Sequence, residues 1–184
     1  IPVVAYYGLT ETGGIVMAER PGFPEIGRLP PACEGVTLHT RRAAELPGKV
    51  ELGIEGPNNY LGYCGQPVLR HEVVWTGDCV EEVEPGGFRW MGRLDHAIKA
   101  PDTTWVFPEN LERWLREQSC ILDAVVKPAK EGGVLECWVD WEGVPELLLD
   151  EIEANLGRNY RPTTVHRARI ERSQLGKLNR VIPR

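Results

Sequence analysis

Glycine and proline divide the first half of this chain into short segments. The 184 residues include 20 glycines and 15 prolines, and Gly48, Pro57 and Pro85 separate runs that are rich in apolar and β-branched residues. We expect strands in five such runs, at 1–6, 35–40, 49–56, 73–78 and 87–93. Short strands joined by turn residues predict a small, distorted β-barrel.

The second half of the chain alternates between helical and extended patterns. Pro108 suits the first position of a helix, and Leu111 and Leu115 then share one face. Strands at 123–129 and 134–141, a helix from Pro145 and a strand at 165–171 follow. This α-β-β-α-β order predicts a compact α+β domain, so we expect an α+β chain with a domain boundary between 1–94 and 95–184.

The composition is typical of a folded protein without membrane segments. Hydrophobic residues make up 42% and charged residues 26%, and no apolar run approaches the ~20 residues of a membrane helix. The five cysteines are scattered, odd in number and without CxxC spacing, which predicts neither a disulfide framework nor a zinc site. With no signal segment at the start, we expect reduced cysteines in a cytoplasmic protein.

Charge is distributed unevenly along the chain. Residues 158–184 carry a net charge of +7, and the remainder carries −13. A basic tail can bind nucleic acid, but Thr163, Val165 and Ile170 interrupt this one with the pattern of an ordered strand. A basic face that attracts a small polyphosphate molecule fits better, and a solvated face without a ligand stays open. We expect no nucleic-acid or membrane partner.

The beginning of the chain predicts a further portion of the protein. Ile1 starts inside the apolar run IPVVAYY, which is typical of a buried strand. A core strand rarely opens a protein, so we expect an N-terminal portion to precede this residue or to lie on another chain.

Three segments carry candidate chemistry: YYGLTETGG at 6–14, WTGDCVEEVEPGGFRWMGRLDHAIK at 75–99 and LGKLNR at 175–180. A hydroxyl beside a carboxylate, as in Thr10-Glu11, can hold a phosphate oxygen together with Mg²⁺, and Gly8 lets backbone approach a ligand. The carboxylate of Asp78 can accept two ribose hydroxyls, and the ammonium of Lys177 can offset developing negative charge. Taken singly, the segments are also typical of polar turns and surface lysines.

In this order and at this spacing, the three segments resemble the C-terminal part of the adenylate-forming enzymes. That superfamily contains acyl- and aryl-CoA synthetases, peptide-synthetase adenylation domains and firefly luciferase. The resemblance covers nearly all of the chain and implies the end of a large N-terminal domain followed by a mobile α+β lid. It implies an AMP-forming acid–thiol ligase that uses ATP and Mg²⁺ to activate a carboxylic acid. The acceptor would be CoA or the phosphopantetheine of a carrier protein.

The resemblance also implies roles for individual residues. In the nucleotide site, Tyr7 would flank the adenine, Thr10 would contact the α-phosphate and Glu11 would bind Mg²⁺. Asp78 and Arg93 would contact the ribose. Trp90 would lie against the nucleotide, although a Trp at such a position is also typical of a core.

Three further residues would serve the movement of the lid. Asp95 matches the hinge about which the lid rotates after adenylation. Lys177 matches the adenylation lysine, and Lys99 matches a lysine on the face that the rotated lid presents. A surface lysine stays the alternative for Lys99.

Two segments depart from the family pattern. Residues 100–107 read APDTTWVF, without the usual glycine and with one extra residue, and the stretch before Lys177 lacks the usual Pro-Lys pair. The first departure puts thioester formation in doubt. Two alternatives therefore stay open, which are adenylation with a non-thiol acceptor and a non-catalytic lid that only binds a partner.

Overall fold

The computed structural model describes residues 6–18, 34–65, 72–83, 87–129, 134–141 and 146–172. The chain forms two compact units, Ile1–Asp95 and His96–Arg184. No helix in the described ranges is long and apolar enough to cross a bilayer. The predicted strand at 1–6 lies outside these ranges except for Tyr6, and Lys177 lies outside them entirely.

The first unit consists of a hairpin and a four-stranded antiparallel sheet. The hairpin pairs β1 (Tyr6–Leu9) with β2 (Gly14–Ala18) across a 3-10 turn at Thr10–Thr12. The sheet has the order β3 (Thr37–Arg42), β4 (Val50–Glu55), β5 (Val74–Val83) and β6 (Gly87–Arg93). Each strand pairs with its neighbour in sequence, through a short connection between β5 and β6 and through the longer segment 56–73 between β4 and β5.

The sheet is open, so the predicted β-barrel is wrong in this respect. Among the described residues, β3 and β6 lie at the two edges of the sheet. Four strands are too few to close around a filled interior, for which about eight are typical. The sheet instead buries one face against the hairpin, where Val16 and Met17 of β2 pack with Leu52, Ile54 and Val80.

The second unit confirms the predicted α+β class. Its elements are β7 (Ile98–Lys99), β8 (Trp105–Val106), α1 (Pro108–Arg116), β9 (Ile121–Pro128), β10 (Leu135–Trp141), α2 (Glu146–Leu156) and β11 (Thr164–Arg167). The strands β11-β10-β9 form one sheet, in which β9 and β10 are antiparallel while β10 and β11 are parallel. A parallel pair needs a crossover, and α2 provides it.

Helix α1 is held on this sheet by apolar and polar contacts. Pro108 opens the helix as predicted, and Leu111 and Leu115 are fully buried in the core of the unit. The carboxylate of Glu112, also buried, accepts a hydrogen bond of 2.9 Å from the backbone N–H of Val126 on β9. A buried acid is tolerated where such partners satisfy it.

A bidentate ion pair joins the last described residue to β9. Arg172 donates from Nε and Nη2 to the two carboxylate oxygens of Asp123, at 2.6 and 2.9 Å, and Arg116 lies 3.5 Å away. Burial of Asp123 by itself raises the pKa of the carboxyl, but the hydrogen bonds and charges of its partners outweigh burial and hold the pKa below its usual 3.8. The ionised carboxylate therefore stabilises the folded chain.

We expect Arg172→Leu to lower the free energy of unfolding by about 1.5–3 kcal/mol at neutral pH, because a buried carboxylate loses charge-assisted hydrogen bonds. The folded pKa of Asp123 lies below the unfolded value, so this stabilisation is present above pH 3.8 and is lost as the pH falls through the folded pKa. Urea denaturation at several pH values measures it. The loss should shrink in acid, whereas Arg169→Leu, at an exposed neighbour, should cause little change at any pH.

Candidate functional site

Two sequence segments meet at the carboxylate of Asp78. The hydroxyl of Tyr7 donates to Asp78 Oδ2 at 2.5 Å, although 71 residues separate the two in sequence. Strand pairing places Arg93 of β6 directly opposite Asp78 of β5, and Arg93 Nη1 lies 3.6 Å from Asp78 Oδ1. We call these three residues the Asp78 cluster. The structure thus brings together three of the predicted nucleotide-binding residues.

An irregular stretch of β5, Thr76-Gly77-Asp78, positions this cluster. Gly77 has a φ of 71°, and a Cβ there would lie 3.0 Å from Arg93 Nη2. The missing side chain therefore leaves room for the guanidinium, which donates to the carbonyl of Thr76 at 2.8 Å. The Thr76 hydroxyl accepts from the Asp78 backbone N–H and donates to the Leu52 carbonyl. Sequence reasoning missed this role of Thr76.

Burial sets the electrostatics of the cluster. Asp78 is 4% exposed, and a carboxylate at such a depth needs donors or cations around it. Burial raises the pKa of Tyr7 well above its usual 10, and the charge of Asp78 raises the pKa further. Tyr7 therefore stays protonated and remains a donor. A ligand hydroxyl that binds Asp78 Oδ2 therefore competes with Tyr7, which the sequence did not indicate.

Glu11 lies in a second polar group of the same unit. Its carboxylate Oε1 accepts a hydrogen bond of 2.6 Å from the hydroxyl of Tyr63, and its backbone carbonyl accepts one of 2.7 Å from the N–H of Tyr60. Thr10, which precedes it, is exposed, while Thr12 is buried and hydrogen-bonds to Leu9 and Gly14 within the turn. Sequence reasoning missed Tyr63, although aromatic residues in a turn-rich stretch are a usable signal.

Gly8 is required by the hairpin itself. A Cβ on Gly8 would lie 1.9 Å from the carbonyl oxygen of Gly14 on the paired strand, so no other residue fits without moving β2. This close approach differs from the ligand approach that we inferred from the sequence. The β1–β2 pairing is also irregular between Tyr7 and Gly8.

The arrangement around Glu11 fits a magnesium ion carried by a nucleotide. The described residues contain no group of three or more His, Cys, Asp or Glu side chains that could hold a metal by themselves. Mg²⁺ bound together with phosphates needs only one or two protein carboxylates, because phosphates and waters complete its octahedron. Glu11 is partly exposed and supplies a hard oxygen ligand, so the residues present suit that type of site.

A pocket of about 510 Å³ adjoins the Asp78 cluster within the first unit. Gly77, Arg93 and Asp95 line it, together with Arg41 and with Glu51, whose carboxylate accepts a hydrogen bond of 3.0 Å from the N–H of Gly77. Ligand pockets of small molecules are typically of this volume. Arg93 therefore connects the pocket with Asp78, and its Nε also donates to Asp95 at 3.1 Å.

The remaining predicted residues lie apart from the cluster or beside it. Asp78 and Val80 are two residues apart on β5 and share one face of the sheet. The register shift between Cys79 and Val80 pairs them with Arg93 and Trp90, so Trp90 and Arg93 lie on that face although three residues separate them. Lys99 is exposed in the second unit, with its ammonium 5.8 Å from the ring centroid of Trp105. Asp95 is the last residue of the first unit.

Comparison with known proteins supports the resemblance at the level of the fold. No protein-family model matches the sequence. Similar solved structures include o-succinylbenzoate CoA synthetase from Bacillus subtilis in complex with ATP and magnesium ion, with a TM-score of 0.83, 20% identity and coverage of 96% of this chain and 40% of that chain. The same enzyme in complex with the acyl-adenylate OSB-AMP gives the same four values.

Two further similar structures come from other organisms. The amide bond synthetase McbA from Marinactinospora thermotolerans has a TM-score of 0.74 and 22% identity, covering 96% of this chain and 40% of that chain. A benzoate CoA ligase from Burkholderia xenovorans LB400 has a TM-score of 0.74 and 21% identity, covering 96% and 39%. The chain thus has the fold of the C-terminal part of adenylate-forming enzymes and spans about 40% of their length.

We expect Tyr7→Phe to lower the free energy of unfolding by about 1–3 kcal/mol, because a buried carboxylate loses a hydrogen-bond donor while the ring stays in place. Chemical denaturation of the chain measures the change. Tyr6→Phe is the matched control, since Tyr6 is 66% exposed. Equal stabilities of the two variants would contradict the tight Tyr7–Asp78 contact.

Proposed function

We propose that this chain is the C-terminal part of an enzyme that activates a carboxylic acid with ATP. A carboxylate oxygen of the acid attacks the α-phosphorus, the bond to the β-phosphate oxygen breaks and pyrophosphate leaves. The product is an acyl-adenylate. The observation that carries this proposal is the Asp78 cluster, which joins two of the three family-like segments in a fold whose solved examples include ATP and acyl-adenylate complexes.

The first unit would bind the nucleotide. Asp78 and Arg93 would hold the ribose after Asp78 exchanges its bond from Tyr7 for one from a ribose hydroxyl. Tyr7 would then be free to lie along the adenine. Trp90, on the same face of the sheet as Asp78 and Arg93, would lie against the nucleotide. In the family-like site, Thr10 would contact the α-phosphate, and Gly8 would allow the tight β1–β2 pairing that carries this turn.

Glu11 would hold the Mg²⁺ that accompanies ATP. The ion would supply a positive charge between the phosphates. The protein's part is to offer one oriented carboxylate oxygen, since Mg²⁺ dehydrates reluctantly and takes few protein ligands.

The second unit, with residue 95 as the hinge, would act as a lid with two functional faces. In the first orientation, Lys177 would offset negative charge between the carboxylate and the α-phosphate. After rotation at Asp95, the face of Lys99 would replace it for the second half-reaction. Lys99 is exposed in the second unit, as this role requires.

The acceptor in the second half-reaction would be a thiol of CoA or of a carrier-protein phosphopantetheine. Attack of the thiolate sulfur on the acyl carbon would release AMP and leave a thioester.

The four cysteines in the described ranges are free thiols, which supports the proposed cytoplasmic location.

A second candidate is adenylation followed by transfer to a non-thiol acceptor. The observation in its favour is the loop after Lys99, where Thr103 has a φ of 70° without being glycine. Asp102 braces this loop by accepting hydrogen bonds from the N–H of Thr104 and from the amide of Asn159, at 3.0 and 2.7 Å. The loop therefore holds a left-handed backbone position without a glycine and is stabilised by side-chain hydrogen bonds.

In the complete enzyme, we expect Lys177→Ala to slow adenylation by about 10²–10³-fold, the typical cost of losing one electrostatic stabiliser. Transfer from a synthetic acyl-adenylate should be nearly unaffected, because the rotated lid no longer presents this lysine. Lys99→Ala should show the reverse pattern. Pyrophosphate exchange and single-turnover transfer measure the two steps separately.

Arg158→Ala serves as a control for the loss of one positive charge from the basic segment, since Arg158 is exposed. The proposal would be contradicted if both lysine variants slowed both half-reactions equally. An exchange rate that Lys177→Ala leaves unchanged would remove this lysine from the reaction.

A further inference from the structure

Tyr63 occupies a position that burial explains only in part. The residue is 54% exposed, so about half of its surface stays in contact with water. Its hydroxyl nevertheless makes a hydrogen bond of 2.6 Å to Oε1 of Glu11, which lies 52 residues earlier in the sequence. The contact with Glu11 is thus the specific polar interaction that orients this ring.

The segment around Tyr63 is fixed to the turn that carries Glu11. The N–H of Tyr60 donates to the backbone carbonyl of Glu11 at 2.7 Å. A Cβ on Gly13 would lie 2.9 Å from the carbonyl oxygen of Asn58, so the two backbones are also in close contact there. The rings of Tyr60 and Tyr63 meet edge to face, with centroids 5.0 Å apart. Both the backbone and the side chain of Glu11 are therefore held from one segment.

We propose that Tyr63 is a positioning residue for the metal ligand Glu11. This inference rests on the proposed function, in which Glu11 holds the Mg²⁺ of the nucleotide. The Tyr63 hydroxyl would hold Oε1 and would thereby fix the orientation in which the carboxylate meets the ion. A glutamate side chain has three rotatable bonds, and holding one oxygen removes most of its alternative orientations.

Orientation matters for this ion in particular. Mg²⁺ requires near-ideal octahedral geometry, so a carboxylate that exchanges among several rotamers binds the ion weakly. Groups that orient a metal ligand through a hydrogen bond typically change metal affinity by about 10–100-fold when they are mutated. Tyrosine suits this task because its rigid ring places a hydroxyl at a fixed distance from the backbone.

Tyr60 provides a matched control within the same segment. Its ring contacts Tyr63, and its backbone, which a side-chain change preserves, binds Glu11. In the described part of the chain, the Tyr60 hydroxyl makes no hydrogen bond to Glu11. Tyr60→Phe therefore removes a neighbouring hydroxyl without touching the carboxylate.

The experiment compares Tyr63→Phe, Tyr60→Phe and Glu11→Gln in the complete enzyme. Isothermal titration measures ATP binding at increasing Mg²⁺ concentration, and a thermal melt checks the fold. In Tyr63→Phe, we expect the Mg²⁺ concentration for half-maximal effect to rise about 10–100-fold. ATP binding without metal and the melting temperature should stay at wild-type values. Tyr60→Phe should match the wild type throughout.

The outcomes separate this inference from the proposed function. If Glu11→Gln shifts the Mg²⁺ dependence and Tyr63→Phe does not, the role of Tyr63 is overturned while the metal role of Glu11 stands. An equal shift in Tyr60→Phe also overturns it, because the effect would then come from the segment as a whole. If Glu11→Gln leaves the dependence unchanged, the proposed metal site fails, and the role of Tyr63 fails with it.

Discussion

The buried carboxylate of Asp78 is the constraint on which the first unit depends. A charge that is 4% exposed is costly unless donors and cations surround it. Tyr7 supplies a hydroxyl donor from the hairpin, and Arg93 supplies a cation from the edge strand of the sheet. Satisfying this one group therefore fixes the hairpin against the sheet, in register with the apolar packing of Met17 on Leu52.

The same constraint links the fold to the proposed chemistry. A ligand that offers hydroxyls to Asp78 competes with Tyr7 for the same acceptor, so binding and local rearrangement are coupled.

The second unit uses buried acids differently. Glu112 and Asp123 join α1, β9 and Arg172 through their carboxylates, and the last described residue before the segment of Lys177 is thereby anchored. In both units, acids at low exposure hold together segments that are distant in sequence.

Local features of the fold were predictable because local rules determine them. Pro108 set the start of α1, and turn residues separated the strands of the first sheet. Closure of the sheet was not predictable, since it depends on how many strands pair and on what covers their apolar face. The length of β5, which runs to Val83 rather than ending near Asp78, was missed for a similar reason. Its outer half is extended by pairing with β6, which a local pattern does not encode.

The candidate site also combines features that the sequence predicted with features that depend on long-range packing. Residue types and spacing singled out Tyr7, Asp78 and Arg93, because the sequence segments that carry them resemble those of a known superfamily. The aromatic residues of a turn-rich stretch draw attention to Tyr63, but its partner could not be predicted, since a hydrogen bond across 52 residues leaves no local signature. The depth of Asp78 was likewise missed, because burial follows from the packing of the hairpin.

The most direct test of this account compares ATP with 2′-deoxy-ATP in the complete enzyme and in its Asp78→Ala variant. A hydrogen bond to a charged group contributes about 1.5–3 kcal/mol, so the wild type should bind the deoxy nucleotide about 10–100-fold more weakly. The variant should bind both nucleotides with equal affinity, because the acceptor is gone. An undiminished preference for ATP in Asp78→Ala would show that the ribose is held elsewhere, and it would contradict the central place given to this carboxylate.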